Sequence, residues 1–159
     1  MIHVKPIHLV RMRNGRDSLA CCAAMIVGCE YHEIEATSIC LRLELDGLEH
    51  GDFRRILAFH QVASTVCYAP DPGLVCGLYA LEVADLNIPG ELMWIVADAR
   101  DAGFEVGEPV LLDPNRGLRD RKYYGLQPTV PEVQLRGNHQ LHSLTAYGRG
   151  IYCERPYYD

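Results

Sequence analysis

The sequence has no long hydrophobic run, no secretory signal and no excess of positive charge. No uninterrupted apolar stretch reaches the roughly 18 residues that a membrane-spanning helix requires. The first residues lack the apolar core and the small-residue cleavage site of a signal peptide. The net charge of −6 argues against a nucleic-acid-binding surface, because phosphate contacts need clustered Lys and Arg. We therefore expect a protein that binds neither membranes nor nucleic acids.

A disulfide framework and a cofactor motif are also missing. The seven cysteines are an odd number without regular spacing, and several lie in apolar segments, where a reduced cysteine behaves as a small hydrophobic residue. This indicates a reducing compartment, and we expect the cytoplasm, or the host cytoplasm or a virion if the gene is viral. No phosphate-binding loop or dinucleotide fingerprint is present, so no cofactor is expected.

Two short basic runs stand out in this acidic chain. The first consists of Arg11, Arg13 and Arg16, and the second of Arg116, Arg119, Arg121 and Lys122. We interpret both runs as solvated loop charge.

The length and composition fit one domain, 1–159, with a core that needs neither disulfides nor metals. A hydrophobic fraction of 48% with 23% charged residues is ordinary for a globular protein, which argues against disorder.

Helical patterns dominate the first half of the chain. Asp17 or Ser18 is placed to cap a helix that runs through the apolar residues LACCAAMIV and ends at Gly28. Small and apolar side chains on most sides predict that this helix is buried. Further helices are predicted from Tyr31 to Leu45 and from Gly51 to His60, each with apolar residues at helical spacing.

The second half favours strands, with one exception. Leu74, Leu78 and Leu81 are spaced as in a helix and predict a short one from Leu74 to Ala84. The predicted strands are Ser64–Tyr68, Leu92–Ala97, Val106–Leu112, Arg121–Tyr124, Leu141–Tyr147 and Gly150–Glu154, with a tight turn at Gly148-Arg149. Helices followed by an antiparallel sheet predict the α+β class.

The segment RDSLACCAAMIVGCEYHE, residues 16–33, resembles the nucleophile helix of papain-like cysteine peptidases. It is similar in particular to the peptidase C39-like family, which trims double-glycine leader peptides in bacteriocin exporters. Asp17, Cys22 and the pair Ala24-Met25 match the family motif Asp-Cys-Gly-x-Ala-Cys-Leu-Ala-Met. The later segments LMWIVAD and PVLLDPNRG resemble the family's His-Trp-hydrophobic strand and its Asp-Pro turn. The resemblance implies a papain-like fold with N-terminal helices packed on an antiparallel sheet.

The same resemblance implies that most of the catalytic groups are replaced. Such peptidases use a cysteine at the helix N-terminus, a histidine on the facing sheet, an Asp or Asn that orients the histidine, and a glutamine that donates to the oxyanion. Ser18 stands at the cysteine position, Met93 at the histidine and Met12 at the glutamine, whereas Asp113 matches the aspartate. A methionine can neither accept the nucleophile's proton nor donate to an oxyanion. We therefore predict a degenerate peptidase fold with Ser18 and Asp113 as relic catalytic positions.

Two interpretations of Ser18 stay open. In the first, it is a helix cap left after the loss of catalysis. In the second, Ser18 stands in place of a native cysteine of an active thiol hydrolase, with His139 or His142 as its base. The two histidines with Cys153 make a poor zinc site, because residues three apart on a strand point to opposite faces. No metal is expected.

The expected function is the binding of another protein. The aromatic tail YCERPYYD, residues 152–159, and the earlier Tyr123 and Tyr124 stand out in a chain with one Trp and three Phe. Tyrosines are common at protein interfaces, although packing at a hairpin edge explains them equally well. Trp94, Tyr123 and Tyr124 are the predicted binding residues. We predict a protein-binding or structural component of a larger assembly, and the small acidic chain with its degenerate site suggests a phage particle.

Overall fold

The structure, a computed structural model, describes residues 6–68, 77–98, 100 and 110–124, and the backbone of 149–154; at 67–68 only the backbone is described. In this part of the chain three helices come first and five strands follow. The elements are α1 (Ser18–Val27), α2 (Tyr31–Leu41), α3 (His50–Phe59), β1 (Ala63–Tyr68), β2 (Leu78–Ala84), β3 (Leu92–Asp98), β4 (Val110–Leu112) and β5 (Arg149–Glu154). None of the helices in the described ranges has the length and apolar character needed to cross a bilayer.

Helix α1 is the centre of the core, as its small and apolar side chains predicted. Every residue from Ser18 to Ile26 is buried. The helix ends at Gly28, which takes a left-handed φ of 80° and donates its N–H to the Ala24 carbonyl at 2.9 Å. The helix packs against strand β3 and against the other two helices. The predicted position and burial of this helix are confirmed.

Helix α2 begins where predicted and ends earlier. Its start is fixed by a capping box in which the Glu30 N–H donates to the Glu33 carboxylate at 2.8 Å. The helix stops at Leu41 because Arg42 takes a left-handed φ of 57°, so the predicted continuation to Leu45 is wrong. Beyond this point the leucines pack half-buried against the core from non-helical chain. Their apolar pattern therefore reflects contact with the core and does not indicate a helix. Helix α3 lies one residue earlier than predicted.

The five described strands form one antiparallel sheet in the order β1-β5-β2-β3-β4. Strand β5 lies between β1 and β2, so that Cys153 pairs with Ser64 on one side and with Leu78 on the other. The helices pack against this sheet through α1 on β3 and α3 on β1. The α+β class is confirmed.

The helix predicted from Leu74 to Ala84 is wrong over its described part. Residues Leu78–Ala84 are strand β2, which is paired with β5 and β3 and is mostly buried. A central strand that is covered on both faces has apolar residues at nearly every position, and over seven residues this pattern is indistinguishable from a buried helix.

Other strand predictions have mixed outcomes. Leu92–Ala97 and Gly150–Glu154 are confirmed, and Val106–Leu112 is a strand from Val110 onward, within the described range. The strand predicted at Arg121–Tyr124 is wrong, because this segment is irregular. Arg149 belongs to strand β5, while the rest of the predicted hairpin, with Leu141–Tyr147, lies outside the described residues.

Candidate functional site

Ser18 joins the N-terminus of α1 to the sheet. It is the first residue of the helix, and its hydroxyl oxygen accepts a hydrogen bond from the Trp94 backbone N–H at 3.1 Å. Only 6% of the residue is exposed. The Ser18 hydroxyl, at the position where the family has its nucleophile, therefore contacts the main chain of β3.

Met93, which precedes Trp94, is buried with its sulfur toward the loop that follows β4. The side-chain amide of Asn115 donates to this sulfur at 3.5 Å. A thioether is a weak acceptor and has no proton to exchange near neutral pH. Met93, which stands where the family has its histidine, therefore cannot act as a base.

Asp113 is buried and uses both carboxylate oxygens to hold the backbone. One oxygen accepts the Asn115 N–H at 2.8 Å and the other accepts the Tyr124 N–H at 2.8 Å. Burial, with a smaller contribution from the Asp85 charge, raises the pKa of Asp113 to about 6 against the lowering effect of these two backbone N–H groups. The carboxylate thus closes the segment 113–124 into a loop.

Met12 is connected to the same loop through its backbone. Its N–H donates to the Pro114 carbonyl at 2.9 Å, and its side chain is buried. The structure therefore brings the four aligned positions, Ser18, Met93, Met12 and Asp113, into one buried region. Their assignment as relic catalytic positions stays a prediction from the resemblance.

Asp17 has a structural role that the sequence did not indicate. It occupies the N-cap position of α1, but its side chain makes no capping hydrogen bond. Its fully buried carboxylate instead accepts the backbone N–H groups of Arg13 and Asn14 and the Tyr31 hydroxyl at 3.0 Å. Burial, followed by the Asp17 charge, raises the pKa of Tyr31. The sequence signal for this contact was that Asp17 and Tyr31 both belong to the segment 16–33, which resembles the family's nucleophile helix.

Three cysteines, Cys21, Cys22 and Cys29, are poor nucleophiles. Cys21 and Cys22 are fully buried in α1, and burial, with a smaller contribution from Asp17, raises the pKa of the Cys21 thiol. Burial and the neighbouring Glu33 raise the pKa of Cys29 to about 11.

Two of the three predicted binding residues belong to the core. Trp94 is buried, and Tyr124 is fully buried with its hydroxyl donating to the Ala84 carbonyl at 2.6 Å. Neither ring is presented to a partner. Tyr123 is half-buried, with the Arg116 guanidinium 5.8 Å from its ring centre. Asn115 was not singled out from the sequence, although it follows directly in the Asp-Pro turn.

The histidines proposed as a base or as zinc ligands, His139 and His142, lie outside the described residues, and Cys153 is described by its backbone alone. Across the ranges that the structure describes, no group of three or more His, Cys, Asp or Glu side chains is arranged to hold a metal ion.

A cavity of about 440 Å³ lies at the other end of α1 from Ser18. It is lined by the segment 6–10, by the C-terminal residues of α1 and by Glu30 and Glu33. Ser18, Met93 and Asp113 are not among its lining residues, so this cavity is separate from the buried cluster.

The fold is that of a papain-like cysteine peptidase. A solved structure described as a double glycine motif protease from an AMS/PCAT transporter, in complex with the leader peptide, matches with a TM-score of 0.59. The match covers 96% of this chain and 94% of that chain at 10% sequence identity, so the similarity is one of fold. No family model matches the sequence. The search of curated proteins found no match either.

Proposed function

We propose that this protein is a papain-like domain that binds a peptide segment of another protein and does not cleave it. The proposal is carried by the surroundings of the Ser18 hydroxyl, which is buried against the backbone N–H of Trp94, the residue that follows Met93. A serine hydroxyl becomes a useful nucleophile only beside a base that takes its proton. With a methionine in that position, the fold is kept, but no group takes the proton of the hydroxyl, and cleavage does not start.

Peptide binding is the part of the family's chemistry that needs no base. The solved neighbour is described as holding a leader peptide, and its fold extends over nearly the whole of this chain. The same surfaces can therefore hold a peptide here after cleavage is lost. The bound segment is expected to belong to a larger assembly, and a phage particle remains the setting predicted from the sequence.

The test measures binding and cleavage on the same samples. Fluorescein-labelled peptides with an internal Gly-Gly pair are titrated with the wild-type protein and with Ser18→Ala, and each mixture is then analysed by mass spectrometry. We expect saturable binding by both proteins and intact peptide in both. Cleavage by the wild type that is lost in Ser18→Ala would overturn the proposal in favour of an active hydrolase with His139 or His142 as base. Failure of every peptide to bind would overturn it as well.

A further inference from the structure

Arg11, from the first basic run of the sequence, lies against the loop that carries the second run. The Arg11 Nε donates to the Arg116 carbonyl at 2.8 Å, across 105 positions of the chain. The Arg11 guanidinium also lies against Gly117, where an added Cβ would come within 2.8 Å of it. The Arg11 side chain therefore lies along the backbone of the loop that carries the second run.

The loop that carries the second run is fixed at several points. Asp113 joins its two ends through the N–H groups of Asn115 and Tyr124. Near its far end, Asn87 exchanges two hydrogen bonds of 2.9 Å with the backbone of Lys122. A loop held in this way loses little backbone conformational entropy when a partner binds.

We name as the basic surface the side chains Arg11, Arg116, Arg119, Arg121 and Lys122. All except the half-buried Arg116 are exposed. Of the acidic residues on this loop, Asp113 is buried beneath it, and Asp120 is exposed beside Arg119 at 3.6 Å. On the loop itself, Asp120 is therefore the one exposed carboxylate beside the cations of the basic surface, in a chain whose net charge is −6.

We propose that the basic surface is the docking site for an acidic segment of the protein partner. This inference rests on the proposed function and adds where the partner is recognised and by what charge. Four of the five cations are arginines, whose planar guanidinium groups pair with carboxylates through two parallel hydrogen bonds. The acidic remainder of the chain repels a long polyanion that extends beyond the surface, so a short acidic segment fits better than nucleic acid.

The basic surface also borders the buried cluster around Ser18. Arg11 precedes Met12, whose N–H donates to the Pro114 carbonyl, and the loop itself begins at Asp113. An acidic segment docked here would therefore extend beside the region in which the family places its catalytic groups.

The experiment is fluorescence anisotropy with a labelled Glu/Asp-rich peptide and with its Gln/Asn counterpart of the same length. The test variant is the double change Arg119→Glu with Arg121→Glu, and the matched control is Arg54→Glu with Arg55→Glu on α3, where both arginines are also exposed. We expect the wild type to prefer the acidic peptide. The test variant should lose about tenfold in affinity, while the control stays within about twofold. Arg119→Gln with Arg121→Gln should lie between the wild type and the test variant.

Several outcomes would overturn the inference. They are equal losses in the test and control variants, no preference for the acidic peptide, and tighter binding of a single-stranded oligonucleotide or of phosphatidylserine vesicles than of the peptide. Circular dichroism of each variant excludes a loss of fold as the cause. Failure of the proposed function is distinguishable, because it would be seen as Ser18-dependent cleavage or as no binding of the Gly-Gly peptides, whatever the basic surface does.

Discussion

The side-chain amide of Asn115 lies 3.5 Å from the sulfur of Met93, and the backbone N–H of the same asparagine donates to the Asp113 carboxylate. Met93, at the position of the family's catalytic histidine, is thus connected to the Asp113 carboxylate through one loop residue, Asn115. A thioether at this position cannot carry a proton. This arrangement supports the proposal that a base has been replaced while the surrounding packing is kept.

A cysteine introduced at residue 18 should be unreactive. A helix N-terminus stabilises a thiolate by about 0.3–1 kcal/mol, which is less than the roughly 1.4 kcal/mol of one pKa unit. We expect Ser18→Cys to react with iodoacetamide near neutral pH no faster than the exposed Cys40, which serves as the reference in the same molecule. Mass mapping separates the two sites.

Adding the missing base should change that result. The double change Ser18→Cys with Met93→His puts an imidazole where the resemblance places the catalytic histidine, so its labelling at residue 18 should be faster than that of Ser18→Cys alone. Rapid, selective labelling of the single variant would instead indicate a working base outside the described residues. In that case the non-cleaving function would be wrong.

The stability of the protein should depend on the ionisation of Asp113. Its folded pKa of about 6 is above the ordinary value of 3.8, so the folded state binds more protons between these two pH values. The stabilising contribution is fully present below pH 3.8 and is lost as the pH rises through 6, by at most about 3 kcal/mol. Urea unfolding at several pH values measures it. Asp113→Asn does not titrate, so the stability advantage of the wild type over this variant should shrink as the pH rises, and a constant difference would contradict the prediction.

Removing the Asp17 carboxylate should be strongly destabilising. Asp17→Ala leaves two partly buried backbone N–H groups and the buried Tyr31 hydroxyl without their acceptor. We expect a loss of about 2–4 kcal/mol in the free energy of unfolding, compared with about 1 kcal/mol for Tyr31→Phe, which removes one hydroxyl. The exposed Asp46, which accepts a hydrogen bond from the Asn14 side chain, provides the control, and Asp46→Ala should change stability by less than about 0.5 kcal/mol. Equal effects of Asp17→Ala and Asp46→Ala would contradict this role.

Gly117 should tolerate a side chain less well than Gly47 does. Both glycines have positive φ values, 81° and 73°, so alanine at either position costs about 1–2 kcal/mol in backbone strain. At Gly47 an added Cβ meets nothing within 4 Å, whereas at Gly117 it displaces the Arg11 guanidinium from its hydrogen bond with Arg116. We therefore expect Gly117→Ala to be the more destabilising by about 1 kcal/mol, measured by chemical denaturation. Equal effects would mean that Arg11 moves aside without loss.

The sequence alone determined the elements whose signals are local. The run of small and apolar residues between Ser18 and Gly28 predicted a buried helix with a glycine end, because both features depend on neighbours within one or two turns. Strand β3 was predicted in the same way from an apolar run bounded by turn residues. The resemblance in this first helix also predicted the fold class before any contact was known.

Only the tertiary structure decided what depends on distant partners. Strand β2 has the apolar spacing of a helix and becomes a strand because β3 and β5 supply its hydrogen bonds on both sides. The hydrogen bonds from Asn115 to Met93 and from Arg11 to Arg116 join residues 22 and 105 positions apart. No local pattern encodes such pairs, because they form only when the loop after β4 folds back over the start of α1 and the sheet.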